Sequence, residues 1–124
     1  MPLLALWIAL GAAAGGQQQA PPEPPEEDQS LAEKEYAFNP IQARKELNTG
    51  NFYFKRSNYK AAAGRFLEAT RWDPGYAEAY LRLGEAHEKL KDAAAARAAY
   101  EKYLELAPKG KGAEQIRKKL AGGT

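Results

Sequence analysis

The sequence contains no cysteine. That excludes disulfides, thiolate metal ligands, thiol nucleophiles and a lipid-modified cysteine at the start of a mature chain. It has a single histidine, His87, so a metal site would have to be built from carboxylates alone. Thr49, Ser57 and Thr70 have no histidine base in evidence to activate them. β-Branched residues are few, with no valine, three isoleucines and three threonines. No alternating run exceeds four residues, so strands are not expected. The chain also lacks an apolar run of the ~20 residues that a bilayer-crossing helix needs.

What is present is unevenly distributed. At 124 residues there is room for one small domain. Residues 1–40 hold six acids and one base, and the remainder holds 17 bases and 10 acids. The pattern predicts an acidic leader ahead of a mildly basic domain. The bases are scattered among acids at helical spacing, and only "KGKGAEQIRKKL" approaches a basic stripe. That argues against nucleic-acid binding.

The first residues, "MPLLALWIALGAAAGGQQQ", are an apolar run followed by small residues. Ala12 and Ala14 supply the small-x-small pattern that precedes cleavage, so residues 1–14 are expected to be a signal peptide or short hydrophobic leader. Positive residues that usually precede such a run are missing. Export to the periplasm or cell envelope is the expectation, with membrane contact only through the leader if it is retained. Residues 15–29, "GGQQQAPPEPPEEDQ", carry four prolines and four acids and cannot bury enough apolar surface to fold. They read as a disordered spacer.

From Ser30 the sequence is built for helices. Asn39-Pro40 is a helix start, with Asn as cap and Pro in the first turn. Helices are expected from there to about Arg56, then Tyr59–Trp72, Tyr76–Leu90, Asp92 to just before Pro108, and Ala113–Leu120. A shift of 34 residues aligns the chain with itself without a gap. Gly50 then falls on Gly84, Tyr53 on His87, Ala62 on Ala96 and Phe66 on Tyr100. Trp72 falls on Leu106 and Pro74 on Pro108, while Phe38 falls on Trp72 and Pro40 on Pro74.

Helix-turn-helix units with a period of 34 resemble the tetratricopeptide repeat (TPR) family. Its pattern is met by Gly50, Tyr53, Ala62, Phe66, Ala69 and Pro74, and again by Tyr80, Leu83, Gly84, Ala96, Tyr100 and Pro108. His87 replaces a usual tyrosine, Tyr103 an alanine, Thr49 a leucine and Glu46 a bulky residue. The resemblance implies an all-α fold: a two-repeat TPR α-α superhelix with repeats at 41–76 and 77–109. A capping helix and tail would follow at 110–124, and residues 30–40 would form a half-repeat helix. Ala62 and Ala96 are expected to face Gly50 and Gly84 where paired helices cross, with Phe66 and Tyr100 filling the wider gap beyond. His87 is expected to be a packing residue.

The first repeat is also similar to that of the lipoprotein subunit of the bacterial β-barrel assembly machinery. Phe52, Tyr53, Phe54, Lys55, Tyr59, Ala61, Ala62 and Phe66 carry that similarity. It implies a role as an accessory of outer-membrane protein assembly or envelope biogenesis. Members of that family have more repeats and a lipidated cysteine, which this chain lacks.

No catalytic constellation is found. "GKG" at 110–112 lacks the second glycine, spacing and hydroxyl of a phosphate loop. No enzymatic role, cofactor or metal is expected. The TPR resemblance instead implies a concave groove for a protein or peptide, lined by the first helix of each repeat. By the family's positions, Arg44, Leu47, Asn48, Asn51, Phe54 and Lys55 face it from the first repeat. Glu78, Leu81, Arg82, Glu85 and Glu88 face it from the second. Leu47, Phe54 and Leu81 are expected to form an apolar floor with charged edges. Two repeats make a small core, so self-association into a homo-oligomer is an open alternative.

Overall fold

The computed structural model describes residues 35–122. Among them are five helices and no strand: α1 Pro40–Lys55, α2 Tyr59–Trp72, α3 Ala77–Lys89, α4 Ala93–Leu106 and α5 Ala113–Ala121. The expected leader (1–14), spacer (15–29) and the first part of the half-repeat helix (30–34) lie outside the described residues.

Each start has a local cause. The Asn39 carboxamide accepts from the Gln42 N–H at 3.0 Å, with Pro40 in the first turn. Asn58 and Asp92, 34 residues apart, cap α2 and α4 by accepting from Ala61 N–H at 3.3 Å and Ala95 N–H at 3.1 Å. The residues just before them, Ser57 and Lys91, both turn the chain at φ 64°. The repeat is therefore written in the backbone as well as in the side chains.

Residues 35–39 are not helical, which corrects the expected half-repeat helix over its described part. The residue before a proline is pushed out of the helical region, and Asn39 sits at φ −151°. The segment instead ties down to the end of α2. Its Asn39 N–H donates to the Trp72 carbonyl at 2.9 Å. The Tyr36 ring meets Trp72 edge-on with centroids 4.9 Å apart, and its hydroxyl donates to Glu68.

Consecutive helices pack in antiparallel order, α1 on α2, α2 on α3 and α3 on α4, with α5 resting lightly on α4. The core has two parts. The first joins Ala43, Leu47, Ala62, Ala63, Phe66 and Ala69 to Ala79, Leu83, Ala86 and Ala99. The second joins Ala96, Tyr100 and Tyr103 to Ala113 and Ile116.

The glycines face the crossing, and the Phe66 and Tyr100 rings lie directly against them rather than in a wider gap beyond. A Cβ on Gly50 would lie 2.5 Å from the Phe66 ring, and one on Gly84 would lie 2.5 Å from the Tyr100 ring. The missing side chain of α1 or α3 is what admits the aromatic of its partner helix.

Candidate functional site

A groove of about 760 Å³ opens between α3, α4 and α5. From α3 come Glu78, Leu81, Arg82, Glu85 and Glu88, all five of the second-repeat residues expected to line a binding face. Tyr100 and Tyr103 form its wall from α4, and Lys111, Gln115, Ile116 and Lys119 close it from the far side. The floor is apolar where Leu81 packs against the cluster holding Tyr103 and Ile116.

The first-repeat residues do not join them. Leu47 is only 4% exposed and belongs to the core, which corrects its assignment to an open face. Phe54 is half-buried, edge-on to Tyr59 with centroids 5.0 Å apart, and covered by the Arg82 guanidinium at 4.4 Å. Asn51 accepts from Arg82 Nε at 2.9 Å. The floor of Leu47, Phe54 and Leu81 is therefore not assembled. Arg82 spans the seam between repeats, lying over the Phe54 and Phe66 rings, bonded to Asn51 and paired with Glu85. Arg44, Asn48 and Lys55 lie on the exposed face of α1.

Glu88 is engaged rather than free. Tyr100 donates to its Oε1 at 2.7 Å, and Lys119 donates to the same oxygen at 3.0 Å and lies 2.9 Å from Oε2. Partial burial alone would raise its pKa, but the bonds from Lys119 and Tyr100 outweigh that and hold the carboxyl below its ordinary value. Burial, followed by the bond to Glu88, pushes the Tyr100 phenol well above its ordinary range. With Arg82–Glu85 and Lys119–Glu88 paired, Glu78 and Lys111 are the lining charges without an ion pair among the described residues.

The contribution of α5 was missed because its helix reads as a polar cap. One further step of 34 residues would have found it. Pro40, Pro74 and Pro108 keep the period, and Leu81 and Glu85 then map onto Gln115 and Lys119. The third helix in that series occupies the place of a further first helix, so it too lines a groove.

His87 is half-buried and its Nδ1 has no partner among the described residues. No three His, Asp or Glu side chains among those residues converge as a metal ion would require. No described helix is long and apolar enough to cross a membrane.

Stacked helix-turn-helix pairs with a 34-residue period and a groove lined by successive first helices define an α-helical repeat scaffold. The chain matches the tetratricopeptide repeat family over residues 47–111 and belongs to it. Repeats of this family in general mediate protein–protein interaction and are typically non-enzymatic. No curated protein matches the chain.

Proposed function

We propose that this protein is a non-enzymatic TPR adaptor of the bacterial cell envelope, which holds an extended peptide or a helix of a partner protein in the groove between α3 and α5. The groove's chemistry carries this reading. Partly exposed Leu81 offers an apolar floor, supported from beneath by the buried Tyr103 and Ile116, and Glu78 and Lys111 offer one charge of each sign without an ion pair among the described residues. An apolar centre with a charged rim suits a peptide segment better than a small polar metabolite. The apolar leader and the first-repeat similarity to an outer-membrane assembly subunit support the envelope, and favour a partner engaged in outer-membrane protein assembly.

The test is in-cell photocrosslinking from Leu81 and from Gln115, with Leu67 on the outside of α2 as control. The expected result is one envelope protein captured at both groove positions and not at the control. Capture of only the chain itself would replace the adaptor with a self-associating module. Equal capture at all three positions would remove the groove as the site.

A further inference from the structure

The outward face of α1 has no covering helix among the described residues. At 3.6 residues per turn, Ile41, Lys45, Asn48 and Phe52 fall on one stripe opposite buried Ala43 and Gly50. Ile41 is 71% exposed, Phe52 49%, and Phe38 just ahead of the helix 69%. Lys45 lies in the stripe, Arg44 and Lys55 flank it on one side and Arg56 on the other, and all four are exposed. None of them forms an ion pair among the described residues. The one acid of α1, Glu46, is buried and bonded to Arg65 at 3.0 Å. The Arg56 guanidinium lies 4.1 Å from the Phe52 centroid, so ring and cation are presented together.

This face is not shaped as the seat of another repeat helix. Thirty-four residues on, Ala79, Leu83 and Ala86 stand where Lys45, Thr49 and Phe52 stand here, and they are buried in the cluster shared with α2. Small side chains permit that close approach. Phe52 and Lys45 project and would hold a rigid helix away. Projecting apolar groups bordered by unpaired cations suit a soft, negatively charged surface, where the rings enter the headgroup–acyl boundary and the cations stay among phosphates. We infer that α1 seats the folded domain on an anionic lipid surface through Phe38, Ile41 and Phe52, with Arg44, Lys45, Lys55 and Arg56 engaging the headgroups. A second copy through the same face would set four cations against four. The lipid contact is separate from the peptide groove and leaves α3, α4 and α5 free.

The absence of cysteine makes the experiment direct. The full chain carrying Ile41→Cys is labelled with an environment-sensitive fluorophore and titrated with phosphatidylcholine vesicles, with and without phosphatidylglycerol. The expected result is a blue shift only with the anionic vesicles, weakening steeply as salt rises. Each cation near such a surface strengthens binding about fivefold. Lys45→Glu with Lys55→Glu should therefore weaken it at least about 20-fold, while Lys118→Glu on α5 changes it little. Circular dichroism verifies that the variants keep their helices. Phe52→Ser, which keeps every cation, should weaken binding at unchanged salt dependence. Equal binding to neutral vesicles, a label at position 41 that stays in water, or sensitivity to Lys118→Glu instead of the α1 pair would overturn the inference. Capture of an acidic protein helix on this face without any vesicle response would likewise overturn it.

Discussion

At the scale of single residues, the decisive choice is where a side chain is missing. Gly50 and Gly84 leave room for the Phe66 and Tyr100 rings, and a methyl group at either glycine would overlap ring carbons at 2.5 Å. Overpacking of this kind costs about 1–3 kcal/mol, partly offset by about 1 kcal/mol of improved helix propensity. Gly50→Ala and Gly84→Ala should therefore each destabilise by about 1 kcal/mol, lowering the melting temperature by about 4–8 °C. Gly64, also in a helix, has nothing within 4 Å of the position a Cβ would take. Gly64→Ala should stabilise by up to about 1 kcal/mol. Thermal melts of the three variants check both signs at once, and equal effects at Gly50 and Gly64 would refute the packing account. The 34-residue alignment identified these glycines and rings as a set. It placed the rings beyond the glycines because spacing along the chain says which residues share a face, not how far each side chain reaches across.

Among the elements, the ends of the helices were the most legible part. Asn39-Pro40 is a local signal, and the observed helices start and end within a residue or two of the expected bounds. Over its described residues, 35–39, the half-repeat helix was misread because Phe38 aligns with Trp72, yet alignment does not provide a surface to bury it, and Phe38 is left in solvent. For α5 the start and end were read correctly and its role was read too narrowly. It is fastened by Ile116 and Ala113 in the second cluster, by Tyr103 donating to the Lys111 carbonyl at 2.8 Å, and by Lys119 on Glu88. The Glu88 carboxyl has a lowered pKa in the folded chain, so it binds its proton more weakly there than when unfolded. Its contribution is thus present above the ordinary carboxyl value of 4.5 and is lost as pH falls below it through the folded value. Amide protection in α5 should fall as pH is lowered from about 4.5, corrected for intrinsic exchange, and Glu88→Gln should flatten that dependence. Both side chains are more than a third exposed, so the loss is small, about 0.5 kcal/mol after screening. An α5 whose corrected protection has the same pH dependence in both proteins would refute the role given to this carboxylate.

At the scale of the whole folded domain, the helices of residues 40–121 form a short one-dimensional stack, and its two clusters differ in what closes them. The first is built from α1, α2 and α3 with Ala99 from α4, and Phe66 at its centre is fully buried. The second draws on α5, since Ala113 and Ile116 join Tyr100 and Tyr103 in it and complete cover that α3 begins at Gly84 and Leu81. In a repeat protein each unit is stabilised chiefly by its neighbours, so removing an end unit should affect nearby units more than distant ones. Ending the chain at Lys111 removes the burial of Ile116 and Ala113, a loss of about 3 kcal/mol on area grounds, and wets two tyrosines that are almost wholly buried in the full chain. That is a large fraction of the stability a domain of this size has. The expected outcome is graded: amide protection collapses in α4, weakens in α3 and survives in α1 and α2, where the first cluster is intact. The newly exposed Tyr100, Tyr103 and Leu81 should also make the truncated chain associate as its concentration rises, unlike the full chain. Hydrogen exchange read helix by helix on both proteins, with sedimentation at two concentrations, checks the two effects separately. Loss of protection in all four remaining helices together would mean that the stack folds as one cooperative unit and that α5 completes its only core. Retention in α4 would mean that the groove's far wall is dispensable for the fold and is kept for what it binds.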